Sequence, residues 1–440
     1  MAASPARVCA LRVLRRVTAE GAYADRAFRG EAERARLDPR ERALAQRLAY
    51  GVVQRLRTID WLLDRLASRP LDDIEPPVLD ALRLGVLQLL WLDSVPDRAA
   101  VDQTVELVKA ETPRAAGFAN AVMRRGAREA ARMLRSLPAG SSVLHSHPEW
   151  LAEMWTAMLG AEEAAALMER DNEPAESAVR VNELRATPGD VRAALAELDV
   201  ATREAPDLPE AIVVDGPFDA HGSDLFERGL LMPQSRASML VGRVVSPRPG
   251  QRALDLCAAP GAKSTHLAAL MGGEGEVVSV ERNPARAEEL RATCARLGAG
   301  IVAVREADAR EPVEPGGFDR VLLDPPCSDL GTLQSRPDAR WRKAPEQIAE
   351  LATLQRELLE SAVAQLRPGG TLVYSTCTIS PRENQEQLEA LLNEHSELAA
   401  DSLGAELPAY ALAADPRFLQ LLPHRHGTDG FFIARISRTS

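Results

Sequence analysis

From about Gly250 onward the chain alternates short apolar runs with longer amphipathic ones, and this alternation constrains the fold more than any other feature. Strands are expected at 252–257, 276–281, 300–305, 318–323, 371–376 and 431–436, with helices between them, including 284–297 and 345–366. Strand alternating with helix implies a mostly parallel, doubly wound sheet. In such a sheet ligands bind in the crevice outside the carboxyl ends of the strands. The residues at those ends therefore predict the chemistry.

The first run continues Leu254-Asp255-Leu256-Cys257-Ala258-Ala259-Pro260-Gly261-Ala262-Lys263-Ser264, which reads as a strand, a tight turn and a helix start near Lys263. The small residues Ala258, Ala259, Gly261 and Ala262 let the backbone approach a ligand, and a helix start offers it free N–H groups. The next strand ends at Glu281, placed to accept the two hydroxyls of a ribose. The third leads to Asp308, where an adenine amino group could be read, and the fourth to Asp324, where an ammonium could be held. A Walker loop is excluded because Ala262 stands between Gly261 and Lys263, and a nicotinamide fingerprint because the turn has a single glycine. Each acid alone could be a cap. Four at consecutive strand ends, Asp255 included, favour a ligand built of adenosine and an amino acid, and S-adenosylmethionine fits that description.

Two thiols stand at strand ends of the same sheet, in Asp324-Pro325-Pro326-Cys327 and Tyr374-Ser375-Thr376-Cys377. Both should reach one cleft. The other cysteines read as packing, Cys9 and Cys294 on helices and Cys257 at the end of a buried strand. A cysteine that adds to C6 of a pyrimidine makes C5 nucleophilic, which lets an unactivated ring carbon accept a methyl group. Methylation of an exocyclic amine is disfavoured, because enzymes of that kind often carry an aromatic residue where Cys327 stands.

Residues 1–140 read as an all-α domain. Val8, Leu11, Leu14 and Val17 share one helical face with Arg12, Arg15 and Arg16 between them. Leu62, Leu63 and Leu66, and then the run from Val78 to Leu90, repeat the pattern between proline breakers. Residues 148–240 read as a small α+β module, with helices at 149–168 and 189–198 and strand-like runs at 178–181 and 211–214. Residues 241–440 hold the doubly wound sheet. Net charge is −11, yet residues 1–60 hold 13 arginines against 7 acids, a local surplus suited to phosphates. Aromatic residues are only 4%, too few for an extensive base-stacking platform. Nothing approaches the roughly 20 apolar residues of a membrane span, and the segment 1–7 has no signal-peptide core, so the cytoplasm is expected. Five cysteines give no disulfide framework. No Cys-x-x-Cys or histidine-rich cluster suggests a metal, and His424 and His426 read as neighbours on a surface loop.

The strings 254–263, Asp324-Pro325-Pro326-Cys327-Ser328 and Ser375-Thr376-Cys377-Thr378, with the ending Asp429-Gly430-Phe431-Phe432-Ile433-Ala434-Arg435, resemble the RsmB/NOP/Sun family of RNA cytosine-C5 methyltransferases. Tyr50-Gly51-Val52-Val53, Leu82-Arg83-Leu84-Gly85 and 117–124 resemble a NusB-like helical domain. The resemblance covers nearly the whole chain. It implies a NusB-like domain, a small RNA-recognition module and a C-terminal α/β, Rossmann-like class I methyltransferase domain. It further implies S-adenosylmethionine as cofactor, 16S rRNA as partner, no metal, and a monomer. In the family the cysteine matching Cys377 attacks C6 and the one matching Cys327 helps release the product. Cofactor contacts would fall on Cys257, Ala258, Ala259, Pro260, Gly261, Ala262, Lys263, Glu281, Asp308 and Asp324, the last also facing the cytosine. The chain departs from the family at Ala262, where a second glycine is usual, at Ser328-Asp329-Leu330-Gly331, where Ser-Gly-Thr-Gly is frequent, and at Gln234-Ser235, where Gln-Asp is usual. Two other functions stay open, methylation of tRNA and a NusB-like RNA-binding protein with an inactive catalytic half. Intact Asp324, Cys327 and Cys377 argue against the second.

Overall fold

The computed structural model describes residues 3–216 and 218–439, so Met1 and Ala2 of the N-terminal stretch lie outside the described residues. The chain forms two compact units, Met1–Pro174 with Leu333–Arg342, and Ala175–Thr332 with Lys343–Ser440.

The first unit is helical. Its opening helix, Pro5–Thr18, buries Leu11 and Leu14 and leaves Arg12 exposed, as the spacing requires. Helices Pro39–Gln54 and Pro76–Trp91 also start with proline, whose missing N–H costs nothing in a first turn. Gly85 is required by packing, since a Cβ there would lie 2.5 Å from Met123 Sδ. The helix expected at 149–168 is two, Glu149–Leu159 and Ala161–Arg170. Gly160 separates them at φ 84°, a backbone angle glycine adopts without strain and a continuous helix cannot use. The segment Leu333–Arg342, far downstream in sequence, belongs to this unit. There the buried Arg340 donates to the carbonyls of Gln54, Ser146 and Asp171 and to Asn172 Oδ1, while Trp341 Nε1 donates to Val53 O.

The second unit holds two sheets. The smaller has β1 (Ser177–Val181), β2 (Ala201–Glu204), β3 (Ala211–Asp215) and β4 (Leu231–Pro233), all antiparallel in the order β2-β3-β1-β4. The larger has β5 (Arg252–Leu256), β6 (Glu276–Glu281), β7 (Val302–Glu306), β8 (Phe318–Leu323), β9 (Leu366–Thr376), β10 (Leu398–Ala400), β11 (Leu419–Leu421) and β12 (Phe431–Arg438). Its order is β10-β12-β9-β8-β5-β6-β7, with β11 paired to β12. Strands β5 to β9 run parallel, and β12 runs antiparallel to β9. The inner strands β5, β6 and β8 are almost wholly buried, which is why they read as continuous apolar runs. The chain leaves β5 toward β6 and β7 on one side and returns to β8 and β9 on the other. That reversal opens the crevice at the carboxyl ends of β5 and β8. No helix among the described residues is long and apolar enough to cross a membrane.

Candidate active site

The turn after β5 is shaped by its backbone. Cys257 and Gly261 have φ of 63° and 101°. A Cβ on Gly261 would lie 2.5 Å from Leu290 Cδ1, so glycine is needed for both angle and space. Gly261 caps the helix Ala262–Leu270 without a side-chain hydrogen bond, leaving first-turn N–H groups to a ligand. Arg180 on β1 ties the small sheet to this helix. Its buried guanidinium donates to Ala262 O, Thr265 Oγ1 and Gln234 Oε1. Gln234 immediately precedes Ser235, which caps the helix Arg236–Val245.

The acids divide into three kinds. Asp255 lies inside the sheet, where Ser264 Oγ donates to it and burial pushes its carboxyl up to about 7. It supports the turn, and its burial corrects the reading that counted it among ligand-facing acids. Glu281 and Asp308 have partners nearby in sequence, and Arg282 also approaches Asp308 at 3.7 Å. The Asn283 N–H donates to Glu281 at 2.8 Å, and Arg286 approaches Glu281 at 3.7 Å while donating to Ala259 O in the turn. Arg310 grips Asp308 with two nitrogens and, with its own N–H, holds that carboxyl down at about 2. Asp324 faces the other half of the cleft. Lys263 Nζ donates to its Oδ2 at 2.6 Å and Ser375 Oγ to its Oδ1 at 3.1 Å. Burial works against the charge on Lys263, but Asp324 outweighs it and keeps the ammonium protonated. Small residues in the turn, an open helix start and carboxylates at successive strand ends fit a ligand carrying ribose, an amino group and a cationic centre.

Parallel pairing of β8 with β9 sets Leu323 beside Tyr374, so the chain leaves both strands on the same side. Cys327 and Cys377 consequently meet, with their sulfurs 3.3 Å apart. Hydrogen bonding with Cys327, then burial, then the carboxylates of Asp329 and Asp324 push the Cys377 thiol well above its ordinary range. Burial likewise pushes Cys257 up to about 12 and Cys294 up to about 11. A raised thiol therefore does not set Cys377 apart from these packing cysteines. Its contact with Cys327 beside Asp324 does.

Residues remote in sequence hold the thiol loops. The buried Glu383 accepts the Ser328 N–H at 2.8 Å, the Ser328 hydroxyl at 2.5 Å and Gln355 Nε2 at 3.1 Å. Gln355 also donates to Pro326 O, and Asn384 joins the Thr376 hydroxyl to Thr378 O. Sequence reasoning missed Glu383, Asn384, Gln355 and Arg180, as well as Asp329, whose Oδ1 accepts a hydrogen bond from Cys377 Sγ at 3.2 Å. The polar pair Glu383-Asn384 just after a proline turn was the one available signal. His424 and His426, read as a surface loop, fall on a short helix, Pro423–His426, in which His426 Nδ1 bonds its own Leu422 backbone.

Comparison with known proteins gives a consistent pattern. A family model described as 16S rRNA methyltransferase RsmB/F matches residues 243–437. A NusB family model matches 4–128, and a ferredoxin-like domain of RsmF/B-like methyltransferases matches 147–221. A Synechocystis protein named probable ribosomal RNA small subunit methyltransferase B is 35% identical, covering 98% of this chain and 99% of its own. A Bacillus subtilis protein of the same name is 33% identical, covering 98% of each. The crystal structure of PH0851 covers both chains completely, with TM-score 0.83 and 27% identity. That of NSun6 from Pyrococcus horikoshii with SFG covers 68% of this chain with TM-score 0.60, a likeness of fold at 23% identity.

Proposed function

The chain belongs to the RsmB/F family of 16S rRNA methyltransferases, and from that premise we propose that it methylates C5 of a cytosine in small-subunit rRNA through a covalent bond from Cys377 to C6. The observation that carries this reading is the meeting of Cys327 and Cys377, 3.3 Å apart, beside Asp324. Unactivated C5 is a poor nucleophile. A thiol added at C6 turns it into an enamine-like carbon, and a second thiol beside the first can assist the later loss of the C5 proton.

The residues that would hold S-adenosylmethionine are Cys257 to Lys263 in the turn, Glu281 for the ribose, Asp308 for the adenine amino group and Asp324 for the amino acid end. Bound there, it supplies an electrophilic methyl group. Asp324 also lies within reach of the ring edge of a cytosine delivered to the thiols, and Lys263 fixes its orientation. Hydrogen bonds from Ser328 to Glu383 and from Gln355 to Pro326 set the Pro326-Cys327-Ser328 backbone before substrate arrives, the kind of preorganisation a covalent step needs.

A base-paired cytosine hides C6 within the stack, so the target is an unpaired or flipped nucleotide. The helical NusB-like domain and the ferredoxin-like module are the RNA-binding parts in this reading. Exposed arginines of the N-terminal segment, among them Arg12, Arg36, Arg40 and Arg47, would meet phosphates, which position RNA without reading its sequence. Bisulfite sequencing of small-subunit rRNA from a strain lacking the protein tests the proposal. One cytosine protected in the parent should become fully convertible in the deletion. An unchanged rRNA pattern, with a protected cytosine lost from tRNA instead, would move the substrate to tRNA.

A further inference from the structure

Asp329 has a backbone φ of 59°, in the left-handed region. Glycine is most at home there, with Asn and Asp next among other residues. The position is also one at which the chain departs from its family's frequent glycine. The conformation brings the side chain against the attacking sulfur, and Asp329 Oδ1 accepts a hydrogen bond from Cys377 Sγ at 3.2 Å. The loop is fixed on both sides. The Thr332 N–H and hydroxyl donate to Asp329 O at 3.1 and 3.0 Å, and the Gly331 N–H donates to Cys377 O at 2.9 Å. The carboxylate and the thiol are thus anchored to each other through side chains and backbone alike.

The groups facing Cys377 come from two parts of the fold. Cys327, Asp329 and Asp324 belong to the end of β8 and the loop after it, and Lys263 approaches from the helix Ala262–Leu270. The two carboxylates and the neighbouring sulfur keep the resting thiol protonated, so the nucleophile has to be generated in the step that uses it. Lys263 is a cation paired with Asp324 and has no lone pair to receive the proton. Asp324 holds Lys263 and Ser375, whereas the carboxylate that accepts the hydrogen bond of Cys377 Sγ is that of Asp329.

We propose that Asp329 is a catalytic base that takes the thiol proton of Cys377 as its sulfur adds to cytosine C6. The inference rests on the covalent reading given above. In the step, the S–H bond breaks and its proton passes to Asp329 Oδ1. The sulfur pair forms the S–C6 bond, and the C5=C6 pair moves to C5, with its charge spread over the ring to N3 and O2. C5 is then the carbon that accepts the methyl group. At release the C5 proton leaves to a second base, its electron pair restores C5=C6, and the C6–S pair returns to sulfur, which takes its proton back from Asp329.

A loop residue of purely structural value would behave differently from a base. Asp329→Asn keeps the size of the side chain and its tolerance of a positive φ. Three measurements on the full-length protein separate the cases. Turnover on a small-subunit rRNA transcript should fall about 100-fold or more, the scale of a lost general base. Alkylation of Cys377 by iodoacetamide without RNA or cofactor, mapped by peptide mass, should become faster, with its pH profile shifted downward, because a negative neighbour has gone. Formation of a denaturation-resistant adduct with a transcript containing 5-fluorocytidine, which cannot lose its C5 substituent as a proton, should slow in parallel with turnover. Asp329→Gly should reproduce all three results. Turnover at the unsubstituted rate, or turnover and alkylation falling together as in a collapsed loop, would overturn the proposal while leaving the covalent reading intact. Failure of the unsubstituted protein to form any 5-fluorocytidine adduct would overturn the covalent reading and the proposal with it.

Discussion

The two halves of the cleft are built in opposite ways. On the β6 and β7 side, Glu281 and Asp308 are partnered mainly by residues two to five positions away, Asn283, Arg286 and Arg310, with Arg282 reaching Asp308 at 3.7 Å from the turn after β6, and the arginine contacts reach toward solvent. On the β8 and β9 side, Cys327 and Cys377 are held by partners from other elements. Glu383 binds Ser328, Gln355 binds Pro326, and the Cys377 carbonyl accepts from Gly331. Local partners can swing aside when a ligand displaces them, which suits a cofactor that must enter and leave every cycle. Long-range buried bonds cannot move one at a time, which suits groups that must hold a reacting ring in one geometry.

This contrast can be broken by experiment. The largest effect belongs on the thiol side. Cys377→Ala should lose at least about 10⁴-fold in turnover, the scale seen when a nucleophile is removed, with cofactor affinity by calorimetry unchanged. Measurable turnover near the starting rate would erase the distinction between the halves. Next come two acids on opposite sides of the divide. Glu281→Ala should weaken cofactor binding by about 1–3 kcal/mol, the cost of leaving hydroxyl partners unpaired, with kcat preserved at saturating cofactor. Asp324→Ala should weaken binding and also lower kcat, since it frees Lys263 and removes the carboxylate beside the thiols. Equal kinetic signatures for the two variants would mean that the cleft is one functional unit. The smallest effect leaves both halves alone. Replacing the exposed Arg12, Arg36, Arg40 and Arg47 with alanine should flatten the salt dependence of RNA binding by roughly 0.7 in log–log slope per lost single-strand phosphate. Cofactor affinity should not change. A salt slope equal to that of the parent would remove these arginines from the RNA-binding surface.

What could be read from the chain itself follows the same divide. The helix expected at 284–297 is observed as Pro284–Leu297, and β5, β6 and β8 fall where their apolar runs place them. Turn chemistry and strand ends are local properties, so the placement of Gly261, Glu281, Asp308, Asp324, Cys327 and Cys377 at the carboxyl edge of the sheet was legible, while their roles remain part of the proposal. Strands β2, β4, β10 and β11 are three or four residues long, too short for periodicity to register. The scaffolding of the thiols was also hidden, because nothing in a one-dimensional string links Ser328 to Glu383 across 55 positions. Arg180 and Arg340 illustrate the same limit. Arginine reads as a surface residue, and only the ring of carbonyl and hydroxyl acceptors around each guanidinium explains its complete burial.

In the proposed reaction two thiols act in sequence on one ring, Cys377 attaching and Cys327 aiding release. Incubating Cys327→Ser with small-subunit rRNA and S-adenosylmethionine, then running a denaturing gel, tests it most directly. A slowly migrating protein–RNA band is expected, with Cys377 in its cross-linked peptide, and it should be absent when Cys377→Ala is added to the same protein. Loss of activity with no shifted band, or a band that survives loss of Cys377, would contradict it.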